Sequence, residues 1–401
     1  MNINPPNIWD PRRDQEVRDT LKELKALEDA GYFEGLIDLA VVPDDDKIQE
    51  LVTAKVSRAA PFLRRVSLYK PADQPSLPAL SQFMSQISVR DRTEPYKQDI
   101  HWKFEEAVGQ VRILFGKIVR GEIASNAVIR GIVGSFMDTF MKDRNIILNL
   151  ALAPYTGVDY LYDHSLKSCL VSLSLASAAG YSRTQSIEVA QGALLSDVGM
   201  MLVPERIRLK RGKLSEADLF EVKKHPMLSL TLLEQVHGLS EASLIVPYQH
   251  HERLSGAGYP EKRAGNTVSK FSRIVAIADI FTALINRRTY RESILPYQAM
   301  VSILAMGGQG LLDGDQIKHF LKAVSIFSLG SLVRLTSGRI AKVVAPNPNE
   351  FTKPLVSVLT NENGTPLPRG TVHLIDLATS DEKIVEALSS QTIAHHFMDG
   401  F

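Results

Sequence analysis

Histidines and aspartates recur through the middle of the sequence on separate predicted helices, where they could together bind metal ions. Imidazole and carboxylate groups suit iron, manganese, zinc or nickel, and one carboxylate can bridge two such ions. The candidate ligands are His164, Asp197, His225, His250, His251 and Asp279. The residue types therefore point to a metal centre built from segments that lie far apart in the chain.

Each candidate has an ordinary structural explanation when it is considered alone. A single histidine near a helix end is more often hydrogen-bonded or solvated than bound to a metal, and Asp279 in VAIADIF could satisfy a backbone donor. Burying an aspartate in such an apolar run is costly, however, unless it is paired or bound to a metal. The order and spacing of the set, more than the residue types, decide between the two interpretations.

The segment QHHERLSGAGYP, residues 249–260, joins two adjacent histidines to a glycine-rich turn. Glycines permit a tight loop, and proline restricts the backbone that follows Tyr259. Tyr259 could cover the hydrophobic core or contribute to a functional site, and the sequence leaves both interpretations open.

Helices are predicted to position these residues. From about residue 95 to 150, apolar residues recur at spacings of three and four, as on one face of a helix. That face comprises Phe104, Val108, Val111, Leu114, Phe115 and Ile118. Helical patterns continue to about residue 326, and one of them, over 164–179, stops at Gly180, where glycine can cap it.

Capping residues mark helix boundaries near the candidate ligands. Ser182 with Gln185 forms a capping-box pattern that opens the helix leading to LLSDVG, and Ser215 is a further N-cap. Pro226 is expected to end a helix just past His225, because proline disfavours helical backbone in the residue before it.

The pattern of apolar, polar and charged residues changes towards both ends of the sequence. The first segment mixes an acidic-basic helical pattern with an apolar run and closes in the proline-rich stretch KPADQPSLPALS. Near the C-terminus, apolar and polar residues alternate around Ser337-Gly338 and Asn363-Gly364, so residues 331–376 should form a small antiparallel β unit. We predict an N-terminal domain over residues 1–80, a helical domain over 95–326 and a β-rich C-terminal extension over 327–401.

Composition narrows the classes of function. The chain has 401 residues, of which 44% are hydrophobic, and this suits a globular protein with a large core. Its formal net charge of +1 favours neither nucleic acid nor an anionic membrane surface as a partner. The single cysteine, Cys169, has no partner for an intramolecular disulfide. Because the sequence shows no signal peptide and no run of about 18 apolar residues, we expect a cytoplasmic protein without a membrane span.

Five segments together resemble the HD-GYP family. YLYDHS, LLSDVGM, VKKHP, HHERLSGAGYP and IADIFTALINRRTY occur in that family's order and at its intervals, and the similarity covers about residues 95–401. The resemblance implies a mainly α fold, an HD-superfamily helical bundle with a small β-rich C-terminal module and a separate, commonly regulatory N-terminal domain. It also implies a two- or three-metal centre. Because active members hydrolyse the bacterial second messenger cyclic di-GMP, the resemblance further implies a bacterial signalling protein.

The resemblance assigns roles to individual residues. The six candidates match the family's metal ligands, with Asp197 as the bridging carboxylate of the catalytic centre. Arg288 and Tyr290 match an Arg-x-Tyr motif and are predicted nucleotide contacts, because guanidinium pairs with phosphate and aromatic rings stack on guanine. The loop beside the metal site is associated with docking of GGDEF-domain partners, and its residues here are Gly256, Gly258, Tyr259 and Pro260.

This chain departs from the family pattern at several positions. The defining His-Asp doublet reads Ser196-Asp197, and the lysine expected three residues after the aspartate is Met200. Ser255 and Thr282 replace two usual aspartates. Tyr160 stands where three-metal members have a glutamate, so nothing supports a third ion.

The missing histidine belongs to one of the family's two ion sites. One ion is held there by the counterparts of Asp197, His225, His250 and His251, which are all present. The other is held by the counterparts of His164, Ser196, Asp197 and Asp279. A serine is neutral and too short to reach where an imidazole nitrogen would lie. We therefore expect one divalent Fe, Mn, Zn or Ni ion rather than two.

Three functions are compatible with these residues. The first is an active, metal-dependent cyclic di-GMP phosphodiesterase, and the second is a degenerate member that binds the nucleotide or a metal and signals with weak or no turnover. The third is an HD-superfamily phosphohydrolase that acts on another nucleotide, which the Gly-Tyr-Pro turn disfavours. Ser196 and Met200 favour the second, because a second ion and a lysine would both have neutralised the reacting phosphate.

Overall fold

The computed structural model describes residues 94–122, 125–153, 159–286, 293–347, 350–368 and 371–388. Helices occupy this part of the chain up to Val324, and a small antiparallel sheet follows. The predicted mainly α fold with a β-rich C-terminal module is therefore confirmed. The N-terminal domain predicted over residues 1–80 lies outside the described residues. Among the described helices, none has the length and apolarity that crossing a membrane requires.

Three helices open the described chain and supply one side of the core. They are α1 (Glu94–Val119), α2 (Ala127–Lys142) and α3 (Arg144–Leu152). The apolar face predicted for the first of them is buried except at Val108, which is partly buried, and Val111, Phe115 and Ile118 are fully enclosed. The period of three and four therefore identified the side of α1 that packs against the rest of the domain.

The helices that follow carry or border the candidate ligands. They are α4 (Tyr160–Ala178), α5 (Arg183–Leu195), the 3-10 helix Val198–Leu202, α6 (Glu205–Arg208), α7 (Glu216–Lys223), α8 (His225–Leu233) and α9 (Glu241–Gln249). After the 3-10 helix Gly265–Thr267 come α10 (Lys270–Ile285), α11 (Pro296–Gly308) and α12 (Gly314–Val324).

The helix α4 lies at the centre of the helical part. Every side chain from Tyr160 to Ala176 is buried, so this helix is enclosed on all sides and not along one stripe. Serines in its interior, such as Ser168 and Ser172, take little room and let neighbouring helices approach. The helices α3, α5, α10 and α12 pack against it. Its N-terminal half, which carries the candidate ligand His164, is thus held from several directions.

The caps predicted from the sequence are present. Gly180 follows the end of α4 with a φ of +81°, a conformation that glycine adopts without a Cβ clash. Ser182 and Gln185 form the capping box that opens α5. Ser215 opens α7 and forms a second capping box with Asp218.

The predicted helix end at Pro226 is wrong. The helix α7 already ends at Lys223, and Pro226 stands in the first turn of α8, which begins at His225. Proline is tolerated in a first turn because the N–H that it lacks would have no helical acceptor there. His225 is therefore placed at the start of a helix, not at the end of one.

The C-terminal part forms a five-stranded antiparallel sheet with the strand order β4-β3-β2-β1-β5. The strands are β1 (Leu332–Leu335), β2 (Ile340–Ala345), β3 (Leu355–Val358), β4 (Leu374–Asp376) and β5 (Ile384–Leu388). The hairpin turn predicted at Ser337-Gly338 joins β1 to β2. The turn predicted at Asn363-Gly364 is also present, closed by the Asn361 N–H donating to the Thr365 carbonyl. The strand β5 lies beyond the β unit predicted over 331–376.

The sheet and the helices share one hydrophobic core within the described residues. Val333, Ala341 and Val343 from the sheet are buried in the same cluster as Phe327 and the apolar face of α12. Alternate residues of β1 and β3 point into this core, which explains the alternation seen in the sequence.

Candidate metal centre

Five elements bring the six candidate ligands together. His164 is the fifth residue of α4, Asp197 follows α5 after one residue, and His225 opens α8. His250 and His251 follow α9, and Asp279 lies inside α10. The donor atoms form two groups, and within each group all of them lie within 4.8 Å of one another. The three-histidine group is Asp197, His225, His250 and His251, and the two-aspartate group is His164, Asp197 and Asp279.

The three-histidine group is built around the Nε2 atom of His225. This atom lies 3.2 Å from Asp197 Oδ1, 3.2 Å from His251 Nε2 and 3.4 Å from His250 Nε2. Metal–nitrogen bonds are about 2 Å long, so donors of one ion stand roughly 3 to 4 Å apart. The predicted convergence of these four side chains is confirmed, and their role as ligands stays a prediction.

Main-chain carbonyls orient two of the three imidazoles. His225 Nδ1 lies 2.7 Å from the Val222 oxygen, and His250 Nδ1 lies 3.0 Å from the Pro247 oxygen. A carbonyl oxygen only accepts, so each Nδ1 donates its proton and each Nε2 presents a lone pair. Those two lone pairs face each other and repel. A divalent cation between them would replace repulsion by attraction, so the residues present fit a metal ion.

Burial keeps two imidazoles of this group, those of His225 and His251, neutral and ready to bind a cation. It lowers the pKa of His225 to about 4, although the negative charge of Asp197 acts in the opposite direction. Burial also holds the pKa of His251 well below its ordinary value, assisted by repulsion from His250 and His225. Neutral imidazole is the form that binds metals, so no proton has to leave these two rings at neutral pH.

The two-aspartate group is centred on His164. Its Nε2 lies 2.9 Å from Asp279 Oδ1 and 3.5 Å from Asp197 Oδ2. Burial disfavours the charged form of Asp279, but the hydrogen bond from His164, together with electrostatic attraction by the three nearby histidines, outweighs burial. The pKa of Asp279 is therefore held well below its ordinary value. Asp197 belongs to both groups, since its Oδ1 faces His225 and its Oδ2 faces His164. This is the arrangement expected of a bridging carboxylate.

Two of the family positions that differ here, 196 and 200, supply no charge to the centre. Ser196 is buried, and its hydroxyl donates to the main-chain oxygen of Gly192 at 2.9 Å, inside its own helix. Such a bond is common for serine in a helix. Met200 is 5% exposed and lines the cavity beside the centre. The two-aspartate group therefore has three protein donors, while the three-histidine group has four.

A close contact between two backbone segments holds Asp197 beside His225. The Ser229 hydroxyl donates to the Ser196 carbonyl at 2.8 Å and accepts from the Gly199 N–H at 2.8 Å. A Cβ on Gly199 would lie 2.3 Å from the His225 carbonyl oxygen. Glycine is thus required where the 3-10 helix meets α8.

A cavity of about 180 Å³ opens beside the centre. Its polar lining consists of Asp197, Asp279, His225, His251 and Arg208, together with the phenols of Tyr160 and Tyr259. Met200, Ile207, Leu214 and Val222 supply apolar surface. Carboxylates, imidazoles, a guanidinium and apolar walls together suit a polar ligand that also carries flat or apolar parts.

The predicted Gly-x-Gly-Tyr-Pro loop forms one wall of the three-histidine group. The Tyr259 ring stacks on His251 with 4.6 Å between centroids. A Cβ on Gly258 would lie 2.4 Å from the main-chain nitrogen of Arg253, so the loop closes tightly there. Gly256 has a φ of +83°, and Pro260 is buried after a cis peptide bond. Tyr259 therefore contacts the candidate ligands, and its functional role stays a prediction.

Sequence reasoning missed Glu252, which anchors this loop. Its side chain accepts the Glu261 N–H at 2.8 Å and the Arg263 N–H at 2.9 Å, and the residue is 2% exposed. Burial raises the pKa of Glu252 to about 7, although both main-chain bonds favour the ionised form. An acid directly after the histidine pair was a usable signal, because a charge in a buried segment needs partners.

A buried ion pair under the centre was also missed. Lys167, one turn after His164, is fully enclosed, and its ammonium lies 2.9 Å from Asp163 Oδ2. It also donates to the Asn286 side chain at 2.9 Å. Asn286 is the last residue described before a gap, and the predicted nucleotide contacts Arg288 and Tyr290 lie outside the described residues.

Two family models match the chain. A model of the HD domain matches residues 160–315, which contain all six candidate ligands. A model of a KOW domain associated with the HD domain matches residues 332–396, and that match begins at the first residue of β1.

Similar proteins carry phosphodiesterase names. The chain is 29% identical over 255 residues to cyclic di-GMP phosphodiesterase PA4108 of Pseudomonas aeruginosa, across 63% of this chain and 61% of that protein. It is 26% identical over 199 residues to cyclic di-GMP phosphodiesterase PdeB of Borreliella burgdorferi, across 49% and 52% respectively. It is 33% identical over 154 residues to 3'3'-cGAMP-specific phosphodiesterase 1 of Vibrio cholerae, across 37% and 35%. The chain thus spans at most 61% of the length of these relatives.

One solved structure with a similar trace is Bd1817, an HDG"Y"P protein from Bdellovibrio bacteriovorus. It aligns with a TM-score of 0.47 and 16% identity over 60% of this chain and 76% of that chain. The family models and the relatives' sequences confirm the resemblance that the motifs indicate. Residues 160–315 are therefore an HD domain, and residues 332–396 match the KOW domain that is associated with HD domains.

Proposed function

We propose that this chain is a bacterial cyclic di-GMP signalling protein that holds closer to one divalent transition-metal ion than two and turns the nucleotide over slowly or not at all. One observation carries the proposal. The hydroxyl of Ser196 hydrogen-bonds to the Gly192 carbonyl oxygen within its own helix. It therefore supplies no metal ligand at the position where the family has a histidine. The protein then acts by binding the nucleotide or metal, or by contact with a partner.

The residues of the centre explain why turnover would be slow. An ion held by Asp197, His225, His250 and His251 would supply a bound water of lowered pKa and a positive charge for the phosphate. A phosphodiester that binds beside that ion would also lie near the negative charge of the Asp279 carboxylate. This chain has neither a histidine at position 196 to help hold a second cation nor a lysine at position 200 to neutralise that charge. Losing one such stabilising group commonly costs about 3 kcal/mol, roughly a hundredfold in rate.

An active phosphodiesterase is the alternative, and one observation favours it. The two-aspartate group still places three donors within 4.8 Å of one another. Catalytic zinc sites commonly use three protein ligands and leave the fourth position to water. In this alternative His164, Asp197 and Asp279 would hold a second ion without help from Ser196, and Asp197 would contribute a carboxylate oxygen to each ligand set.

Metal content and turnover, measured together, separate these functions. The full chain is purified aerobically and anaerobically, its bound metals are counted, and linear and mononucleotide products are measured from cyclic di-GMP and from 3'3'-cGAMP. We expect closer to one ion per chain and little product from either nucleotide. The double variant Ser196→His/Met200→Lys should bind a second ion and gain turnover.

Matched variants sharpen that experiment. His250→Ala removes a donor of the three-histidine group and should abolish most metal binding, whereas Ser174→Ala changes a buried serine in α4 that bonds only its own helix and should change nothing. Two tightly bound ions with brisk hydrolysis by the unmodified chain would establish the active alternative. Brisk hydrolysis of 3'3'-cGAMP alone would place the protein among phosphohydrolases of another nucleotide.

The Gly-x-Gly-Tyr-Pro loop limits where a GGDEF-domain partner would bind. Gly258 and Pro260 are buried, while Ser255 and Ala257 are exposed. We place the partner contact on those two exposed residues. Ala257→Arg should then weaken capture of a purified GGDEF domain without changing metal content, and unchanged capture would remove the loop as the contact.

A further inference from the structure

Arg208 brings a guanidinium into the wall of the cavity beside the metal centre. It is the last residue of α6, it is 9% exposed, and it shares the lining of the cavity with Asp197 and His225. Among the described residues that line this cavity, no other is a lysine or an arginine. Burying a guanidinium is costly unless it is hydrogen-bonded to acceptors.

The side chain of Asp159 satisfies only part of the hydrogen-bonding capacity of that guanidinium. Arg208 Nη1 donates to Asp159 Oδ2, while Asp159 Oδ1 accepts the Leu161 N–H and caps α4. Arg208 Nε is buried and has no hydrogen-bond partner. Leaving a charged donor buried without an acceptor is unfavourable, so the guanidinium is only partly satisfied and keeps hydrogen-bonding capacity for an anion in the cavity that it lines.

The cavity also lacks the lysine that the family resemblance predicts at position 200. Met200, at the position of the family lysine, lines the same cavity as Arg208 and supplies only apolar surface. A phosphate near the centre could therefore pair with the guanidinium of Arg208, whereas Met200 offers it no charge. Guanidinium suits that task, because its planar N–H groups match the oxygens of a phosphate.

We propose that Arg208 is the phosphate contact of this cavity and binds the non-bridging oxygens of a phosphodiester seated beside the metal centre. The proposal rests on the proposed function, which supplies the nucleotide. Arg208 is a binding residue and moves no proton, since guanidinium stays protonated in proteins. Asp159 partly neutralises it and sets its orientation, so Asp159 tunes the affinity for anions.

Binding measurements on the full, Mn²⁺-loaded chain test this proposal with two probes, cyclic di-GMP and inorganic phosphate. Arg208→Gln should weaken both by about tenfold to a hundredfold, as expected for a hydrogen bond to a charged group. Arg206→Gln makes the same change at an exposed position of the same short helix and should leave both affinities unchanged. Arg208→Lys keeps the charge and should recover part of the loss.

Asp159→Asn distinguishes phosphate binding from a purely structural role. Asparagine can still cap α4, but it no longer neutralises Arg208, so anion binding should persist or strengthen. If Arg208 only holds Asp159 and the start of α4, the variants Arg208→Gln and Asp159→Asn should weaken binding equally, and that result overturns the proposal. Metal content and the unfolding midpoint are measured for each variant to identify misfolding.

The two probes keep this proposal separate from the proposed function. If the unmodified chain binds phosphate but not cyclic di-GMP, the nucleotide assignment fails, while loss of phosphate binding in Arg208→Gln still supports the contact. If it binds cyclic di-GMP and Arg208→Gln binds equally well, only the Arg208 contact is overturned. If it binds neither probe, the cavity is not an anion site and both proposals fail.

Discussion

At the scale of single residues, Lys167 shows how a charge is accommodated inside this fold. Its ammonium is fully enclosed one turn after His164 and contacts Asp163 and Asn286. Burial lowers the pKa of Lys167 and raises the pKa of Asp163, while the attraction between them opposes both shifts. Each charge is thus tolerated because the other is present.

Removing Lys167 alone should therefore destabilise the protein strongly. Lys167→Met leaves Asp163 buried without its partner, and we expect a loss of about 3 kcal/mol or more in the free energy of unfolding. The penalty should shrink as pH falls, because the raised pKa lets Asp163 become neutral in the folded protein. Urea unfolding at several pH values measures both effects.

Two further variants check that explanation. Asp163→Asn/Lys167→Met removes both charges and should recover much of the lost stability, whereas Lys117→Met changes an exposed lysine of α1 and should have an effect within about 0.5 kcal/mol. A double variant no more stable than Lys167→Met would show that lost packing, and not the unpaired charge, causes the destabilisation.

Sequence patterns reveal residues whose type and spacing are unusual and miss those whose partners are set by the fold. The candidate ligands stood out because a recurring order of histidine and aspartate is improbable by chance. Arg208 did not, since its partner Asp159 lies 49 residues earlier and both look like solvated charges in the sequence. Lys167 and Asp163 are one helical turn apart, but their burial becomes apparent only when the neighbouring helices pack around α4.

At the scale of elements, the loop from Glu252 to Arg263 depends on one close approach of the backbone. A Cβ on Gly258 would lie between 2.4 and 2.5 Å from atoms of His251, Glu252 and Arg253. Gly258→Ala must therefore move the loop away from the three-histidine group. We expect about tenfold weaker metal binding or more, by analogy with loss of other supporting contacts around metal ligands, measured by competition with a chelator.

The same substitution elsewhere serves as its control. Gly134 lies inside α2, and a Cβ there would meet nothing within 4 Å. Gly134→Ala should leave metal binding unchanged and stabilise the helix by up to about 1 kcal/mol. Unchanged metal binding in Gly258→Ala would mean that the loop does not position the histidines.

In the sheet, Glu382 fastens the β1–β2 turn to the approach of β5. Its carboxylate accepts from the Thr336 hydroxyl at 2.8 Å and from the Ser337 N–H at 3.1 Å, and it pairs with Arg339. Burial alone would raise the pKa of Glu382, but these hydrogen bonds outweigh it and lower the pKa to about 2. The ionised carboxylate therefore stabilises the turn.

The pH dependence of that contribution has a definite sign. Because the pKa of Glu382 is depressed in the folded sheet, the stabilisation is complete above the ordinary value of about 4.5 and is lost as pH falls from there towards 2. Glu382→Gln should reduce amide-exchange protection across residues 332–345 near pH 6, and the difference from the unmodified chain should shrink near pH 3. A difference that does not change with pH would contradict the assignment.

Element boundaries were predictable where a side chain acts locally. The capping boxes at Ser182 and Ser215 depend on residues three positions away, so both could be identified from the sequence. The end predicted at Pro226 was wrong because proline is compatible with two places, after a helix or in its first turn, and only packing selects between them. The strand β5 was missed because its edge position next to β1 is a long-range pairing.

At the scale of the whole molecule, a continuous core within the described residues links the candidate metal centre to the sheet. Val333 and Val343 share one buried cluster with Ile277 and Leu166, which lie beside candidate ligands in α10 and α4. Metal bound only by the folded protein should therefore stabilise both parts. At a free Mn²⁺ concentration of about 100 times Kd, the free energy of unfolding should rise by about 2.7 kcal/mol.

Hydrogen exchange at two places measures that coupling. Amides of α10 and of β2 should both gain protection when Mn²⁺ is added, and chelation should reverse both gains. His250→Ala, which lacks one donor of the three-histidine group, should show neither. Protection that rises in α10 and not in β2 would show that the sheet unfolds independently of the helical part.

The overall architecture was accessible from the sequence because its periodicities and its resemblance to a known family agree. Helical spacing up to about residue 326 and alternation after it correspond to the observed change from α12 to β1. Domain limits within residues 1–401 remain predictions, and the segment before residue 94 lies outside the described residues. Pairing across the sheet and the packing around α4 depend on contacts that no local pattern encodes.

The carbonyl contacts of His225 and His250 have a consequence for protein design. In both cases the oxygen that orients the ring belongs to the residue three positions earlier, Val222 or Pro247. Within each four-residue unit, the main-chain carbonyl fixes the tautomer and the orientation of the histidine ring, without help from a distant side chain. We expect such units to be portable: grafted onto two facing helix ends of an unrelated bundle, they would present a pair of pre-oriented nitrogen donors.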